Sequence, residues 1–118
     1  MSFIYHIAMA GDWAQAQADG EYTVSTRGLT LAEQGFIHAS TAAQVAPVAN
    51  MFYQGLPGLL VLVIDPDRLR SEVRLEAVAG WDKPLPHIYG PLNVDAVVQT
   101  KPLVPGPDGH FSFDPAGK

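Results

Sequence analysis

Four short segments of this sequence carry most of the side chains that could take part in chemistry. Their polar members, in chain order, are His6, His38, Ser40, Glu76, His87 and Tyr89. Imidazole, hydroxyl and phenol groups hydrogen-bond a polar ligand such as a ribose, and a carboxylate stabilises a positively charged transition state. If the fold gathers these groups in one cleft, the set predicts a site for a polar small molecule.

Each of these residues also has a purely structural explanation. His6 fits a buried histidine that bonds to backbone, and Ser40 fits a cap for the helix that follows it. Glu76 fits a surface strand residue paired with Arg74, and His87 fits a packing residue in a Pro/Gly-rich turn. The sequence leaves both explanations open, so the functional hypothesis depends on the set being brought together.

Several kinds of chemistry are excluded by what the sequence lacks. The chain has no cysteine, which removes disulfides, thiolate nucleophiles and cysteine-ligated zinc. It has no glycine-rich nucleotide loop and no Gly-x-Ser-x-Gly, and without a His-Glu-x-x-His pair we predict no metal site. A net charge of −5 argues against nucleic acid as a partner, since phosphate binding favours basic chains.

The length of 118 residues predicts a single domain, 1–118, whose last part, 105–118, forms a hairpin or tail. The longest apolar run, Leu59–Ile64, has six residues, whereas a membrane-spanning helix needs about twenty. The N-terminus has no basic leader, so we expect a cytoplasmic protein that does not enter membranes. Charged residues make up only 16% of the chain, against about 25% in average usage, which favours a protein partner or homo-oligomer.

Three helices are predicted to position these residues. Each begins with an acceptor side chain that is followed three positions later by Glu or Gln, the spacing of a capping box. The starts are Asp12, Thr30 and Thr41, and Gly20 and Gly35 supply left-handed ends for the first two.

The third helix runs toward Gly55 and contains Pro47. A proline inside a helix removes a backbone hydrogen bond, so we expect a kink or a restart at this point.

Strand patterns place the candidate residues on common faces. The predicted strands are Phe3–Ala8, Tyr22–Ser25, Phe36–Ser40, Leu59–Asp65 and Val73–Ala77. Alternation puts Phe36, His38 and Ser40 on one face of their strand, and Arg74 with Glu76 on one face of theirs. The run 59–65 is apolar throughout, which predicts a strand that is buried on both faces.

The C-terminal part predicts a terminal hairpin. Val94–Leu103 and Phe111–Phe113 flank the turn sequence Pro107-Asp108-Gly109, and Pro102 restricts its strand to the edge of a sheet. Strands and short helices thus mix without regular βαβ alternation, so the predicted class is α+β.

Two sequence motifs of this chain resemble those of a known family. Gly35-Phe36-Ile37-His38-Ala39-Ser40 and Pro86-His87-Ile88-Tyr89-Gly90-Pro91-Leu92-Asn93, after Tyr5-His6, look like a family of small bacterial and plant proteins known only as a domain of unknown function. The resemblance covers about residues 3–104. It implies an ADP-ribosyltransferase-like fold, a compact α+β body with a bent, split, mainly antiparallel sheet around a nicotinamide dinucleotide cleft.

The resemblance also implies roles for the candidate residues. His6, on the first strand, would hold the ribose of NAD, with Ser40 and His38 shaping the nicotinamide pocket. Glu76, on a late strand, would direct glycosyl transfer. Ligand contacts would also come from His87 and Tyr89, and His38 and Glu76 are the catalytic candidates. The residue two positions before Glu76 is Arg74, where the best-known transferases of this fold have Glu or Gln, which argues against modification of a target protein.

Three functions follow as hypotheses. One is an enzyme that transfers or hydrolyses the glycosyl bond of NAD or a related ADP-ribosyl compound. The alternative is a non-catalytic module that uses the same cleft to bind a small molecule or a protein. An RNA-end phosphotransferase, also built on this fold type, is disfavoured because the acidic chain lacks several basic anchors.

Overall fold

Two three-stranded antiparallel sheets form the framework of the protein, seen in a computed structural model that describes residues 3–26 and 28–114. The strands are β1 Ile4–Met9, β2 Glu21–Tyr22, β3 Val24–Thr26, β4 Leu29–Thr30, β5 Ile37–His38, β6 Leu59–Ile64, β7 Glu72–Glu76, β8 Leu85–Tyr89, β9 Leu92–Asn93 and β10 Val97–Leu103. The α-helices are α1 Ala10–Asp19, α2 Leu31–Gln34 and α3 Val45–Phe52.

The first sheet has the order β1-β6-β10 and forms the centre of the core. Leu62 and Ile64 of β6 contribute to one apolar cluster, while Val61 and Val63 contribute to a second cluster. Successive residues of a strand point to opposite faces, so the two clusters cover both sides of this sheet. The predicted doubly buried strand is therefore confirmed.

The helix starts are confirmed at Thr30 and Thr41 and wrong at Asp12. α1 begins at Ala10 directly after β1, without a side-chain cap, and Asp12 lies inside its first turn. The end at Gly20 is confirmed, with a φ of 87°. Thr30 forms the predicted capping box with Glu33 at the start of α2.

The third helix restarts close to Pro47, as the sequence predicts. The capping box of Thr41 and Gln44 begins a 3₁₀ turn, and a new α-helix, α3, begins at Val45. Pro47 therefore lies in the first turn of α3, where a missing N–H costs little. α3 ends at Phe52, short of Gly55, because a turn follows.

The second sheet has the order β5-β8-β7, and it carries most of the candidate site. His38 of β5 lies opposite His87 of β8, which in turn lies opposite Arg74 of β7. Ser40 lies beyond the shorter β5 and links the two sheets, since its backbone exchanges hydrogen bonds of 2.7 and 2.9 Å with Tyr5 of β1.

The predicted C-terminal hairpin is wrong. β10 pairs with β6 as an edge strand, which confirms the edge position of Pro102. Phe111 is buried in the second apolar cluster, and its backbone N–H and C=O bond to the Asn50 amide at 2.7 and 3.1 Å. The Asn50 side chain thus replaces the strand partner that the hairpin would have needed. Residues 115–118 of the predicted tail lie outside the described residues.

These elements confirm the α+β class, with antiparallel sheets and short helices. The radius of gyration is 13.2 Å, close to the 13 Å or so expected of a compact domain of this length. Among the described residues, no helix is long and apolar enough to cross a bilayer.

Candidate functional site

One face of the second sheet gathers most of the predicted site. Every second residue of a strand points to the same face of a sheet, and directly opposed residues of an antiparallel pair share a side. Alternate residues of β7 and β8 therefore lie on this face, together with Phe36 and His38 at β5. The members that contact one another are Phe36, His38, Arg74, Glu76, His87 and Tyr89. The register of three strands therefore brings together side chains that lie up to 53 positions apart in the sequence.

Glu76 is the acceptor at the centre of this face. Its Oε1 accepts hydrogen bonds from the Tyr89 hydroxyl and from His87 Nδ1, the latter at 2.8 Å. These two bonds lower the pKa of Glu76, and the bond to Glu76 raises the pKa of Tyr89. Glu76 is consequently a carboxylate at neutral pH, and 36% of its side chain is exposed to solvent.

Arg74 pairs with Glu72 rather than with Glu76. Its guanidinium donates to the Glu72 carboxylate at 3.1 and 3.2 Å and lies 4.4 Å from the centre of the Tyr89 ring. The ion pair with Arg74 that offered a structural explanation for Glu76 is thus formed by Glu72, on the same strand.

The His87 ring is buried and held in one orientation. It stacks on Phe36 with 4.1 Å between ring centres, and the His38 ring stands perpendicular to it at 5.1 Å. Nδ1 must carry a hydrogen to donate to Glu76, so in the neutral ring Nε2 has the free lone pair. Within the described residues, Nε2 is buried and has no hydrogen-bond partner. The Glu76 carboxylate thus fixes the orientation of the ring, and the second nitrogen is enclosed by the protein.

His38 connects this face to a cavity. Burial, and next the nearby His87, lower the pKa of His38, so its ring is neutral at physiological pH. The cavity has a volume of about 120 Å³, and its walls include His38, Ser40, Phe52, Trp81 and Leu85. Its lining is mainly apolar and aromatic, which suits a flat ring.

His6 lies behind β5 and does not contact Glu76. Its Nδ1 donates to the His38 carbonyl, and its Nε2 accepts from the Tyr22 hydroxyl at 2.9 Å. Burial lowers the pKa of His6 to about 4. These contacts match the structural explanation of His6. The ring nevertheless borders a small cavity of about 20 Å³ that Ser40 and His38 also line, so its role in ligand binding stays a prediction.

Ser40 lines both cavities. Thr41, and not Ser40, forms the capping box of the following turn, since its N–H donates to the Gln44 amide oxygen at 2.9 Å. The structural explanation of Ser40 as a cap is therefore wrong.

Comparison with known proteins gives the chain a family and no activity. Residues 7–100 match the family described as "Protein of unknown function (DUF952)". The chain belongs to this family. The matched range contains every candidate site residue except His6, which lies one position before it. A search of curated proteins finds no match.

Solved structures similar to this family member come from Caulobacter crescentus. The crystal structure of protein CC0527 is 29% identical over 94% of both chains, with a TM-score of 0.82. A double mutant of CC0527 has 28% identity and the same TM-score and coverage. The solution structure of CC0527 has 30% identity and a TM-score of 0.76, over 93% of this chain and 91% of that one.

Some residues of the site were missed by sequence reasoning. Phe52 follows the helical spacing of a core residue, but its side chain is 52% exposed and borders the 120 Å³ cavity. Ser25 is fully buried beside the smaller cavity, and its hydroxyl has no partner within the described residues. Neither residue carries a local signal, because the packing of α3 and β3 against β5 decides what each one contacts.

Among the described residues, no cluster of His, Asp or Glu side chains could hold a metal ion.

Proposed function

We propose that this chain binds NAD or a related ADP-ribosyl compound and cleaves or transfers its glycosidic bond. The observation that carries the proposal is the Glu76 carboxylate, held by His87 and Tyr89 on the sheet face where the His87 ring contacts His38, which lines the cavity. The resemblance of the sequence to an ADP-ribosyltransferase-like family adds the class of ligand. Family membership alone supplies no activity.

The cavity beside His38 suits the base of such a ligand. An apolar cavity of about 150 Å³ takes up benzene, so a space of about 120 Å³ that is open at its mouth has the scale of one aromatic ring. Trp81 and Phe52 offer ring surfaces for stacking, and Ser40 and the neutral His38 offer polar groups for an amide or a ribose hydroxyl.

Glu76 supplies the electrostatic part of the reaction. When a glycosidic C–N bond breaks, its electron pair leaves with the base and positive charge develops on the ribose. A carboxylate fixed by two donors stabilises that charge without rearranging. His87 donates from Nδ1 and holds the Glu76 carboxylate in place, while its own Nε2 is enclosed by the protein. The exposed Glu76 carboxylate accepts the proton of the attacking water or alcohol. In this proposal His6 acts on the ligand indirectly, because its hydrogen bond to the His38 carbonyl positions β5.

The test combines calorimetry and product analysis. We expect NAD or ADP-ribose to bind at millimolar concentration or below and free nicotinamide to be released from NAD. The variant Glu76→Gln keeps its shape and is expected to bind but to release nicotinamide about 100-fold more slowly. Glu21→Gln, at an exposed glutamate of β2, is the matched control. Absence of binding to both compounds at millimolar concentration would contradict the proposal.

A non-catalytic binding module is the second candidate. The observations that favour it are the apolar lining of the cavity, with Phe52 half exposed at its edge, and Arg74 two positions before Glu76. Trp81 reports on this site, so ligands that change its fluorescence in the wild type and not in Trp81→Phe occupy the cavity. Binding by wild type with no product, at any enzyme concentration, would favour the module over the enzyme.

A further inference from the structure

β7 is the edge strand of the second sheet, and its outer side has no strand partner within the described residues. The outer N–H and C=O groups of an edge strand are a template for pairing with another chain. Leu75 of this strand is 68% exposed, which is unusual for a large apolar side chain in the middle of a strand. β7 therefore offers both the hydrogen-bonding groups and the apolar contact of an interface.

The charges along this strand identify its partner. The sequence 70–76 reads Arg-Ser-Glu-Val-Arg-Leu-Glu. When a second copy runs antiparallel with Val73 opposite Val73, Glu72 faces Arg74 of the other copy. Arg70 lies before the strand and pairs with Asp95 of its own chain at 3.5 Å. By symmetry the Glu72–Arg74 pair occurs twice, so two pairs of opposite charge line the joint. Directly opposed charges of opposite sign stabilise antiparallel pairs, and like charges destabilise them.

Neighbouring symmetric registers fit less well. Centring the pair on Arg74 places Arg74 opposite itself and Glu72 opposite Glu76, so every charged pair repels. Centring it on Leu75 places Arg74 opposite Glu76, whose carboxylate already binds His87 and Tyr89. Of these three registers, the Val73 register is the one in which Arg74 faces a carboxylate that these two residues do not hold.

We propose that two copies of this chain associate through β7, paired antiparallel about Val73, to form one continuous six-stranded sheet. The twofold axis is perpendicular to the sheet, so both Glu76 faces lie on the same side. On the opposite side, Leu75 of each copy lies diagonal to Val73 of the other, which removes the exposed leucine from water.

The test reverses the charge of Glu72 or of Arg74 and measures the molecular mass of the protein in solution. Sedimentation equilibrium from about 10 µM to about 1 mM is expected to show a rise from the monomer mass of 12.7 kDa toward twice that value. E72R places Arg opposite Arg74, and R74E places Glu opposite Glu72, so each variant alone is expected to stay monomeric. An equimolar mixture of the two is expected to dimerise, because all four inner residues then face opposite charges.

Controls separate this pairing from other causes. Lys101→Glu changes the net charge on the first sheet and is expected to dimerise like wild type. Leu75→Ser is expected to weaken the dimer without unfolding the chain, since the side chain is exposed. Circular dichroism verifies that each variant is folded.

Three outcomes would overturn the proposal. They are a wild type that remains at 12.7 kDa at 1 mM, an E72R variant that still dimerises, and a mixture of E72R and R74E that stays monomeric. A wild type that stays monomeric would mean that the charges only protect the edge strand from aggregation or bind a different protein. An E72R variant that still dimerises would point to the register centred on Leu75.

Discussion

At the scale of single residues, two histidines that look alike in the sequence have different hydrogen-bond partners in the fold. His6 and His87 both donate from Nδ1, one to the His38 carbonyl and the other to Glu76. The Nε2 of His6 is occupied by the Tyr22 hydroxyl, whereas that of His87 has no partner within the described residues. Both nitrogens of His6 are therefore occupied by protein groups, whereas the second nitrogen of His87 is enclosed by the protein without a partner.

Burial of neutral His6 predicts a loss of stability in mild acid. Its pKa is about 4 when folded and about 6.5 when unfolded, so between these values the unfolded chain binds more protons. The free energy of unfolding should therefore fall by about 2 kcal/mol between pH 7.5 and pH 5, and the contribution is fully present only above pH 6.5 or so. Urea unfolding at several pH values measures it.

His110 provides the matched control for this experiment. It is a largely exposed histidine beside Asp108, so His110→Gln should retain the decline in stability that His6 causes. His6→Gln should lower stability at pH 7.5 and remove most of the decline toward pH 5. A wild type whose stability is constant over this interval would contradict the contacts assigned to His6.

At the scale of secondary-structure elements, the site depends on the register of β5, β8 and β7. Local signals predicted the alternation of Phe36 with His38 and of Arg74 with Glu76, because a period of two is a property of the strand itself. They could not predict which strands are neighbours. The C-terminal hairpin failed for that reason, since β10 gains more by covering the apolar β6 than by pairing with residues 111–113.

Gly90 follows Tyr89 at the end of β8, and we predict that a substitution at this position lowers the stability of the fold. Its φ is 149°, and an added Cβ would overlap the Ser71 hydroxyl, which donates to the Pro91 carbonyl at 2.7 Å. Gly90→Ala should therefore lower the free energy of unfolding by about 1–3 kcal/mol.

Gly11 in α1 is the comparison for this substitution. It has open space around the added Cβ and no positive φ, so Gly11→Ala should raise stability by about 0.5–1 kcal/mol. Thermal and urea unfolding of both variants measure the effects. Equal effects at the two glycines would contradict the geometry at Gly90.

At the scale of the whole molecule, two apolar clusters share one central strand. β6 contributes to both, and the Tyr5–Ser40 bridge ties the first sheet to the second. Since neither cluster is complete without β6, we expect the chain to unfold as one cooperative unit.

Leu62→Ala tests this coupling. Leu62 is fully buried in the first cluster, so its truncation should lower stability by about 2–5 kcal/mol. The transitions seen by tryptophan fluorescence and by far-ultraviolet circular dichroism should shift together. Val104→Ala, at a side chain that is 73% exposed, should change little. Two separate transitions in Leu62→Ala would show that the clusters unfold independently.

The sequence by itself determined the class of fold, the candidate residues and several of the starts and ends of helices, because composition, alternation and capping act over a few neighbouring positions. Thr30, Gly35 and the apolar run 59–64 are examples of features that local chemistry decides. Only the tertiary structure decided which candidates meet. It placed Glu76 between His87 and Tyr89, and it placed His6 behind the site, because strand register and burial depend on contacts between distant parts of the chain.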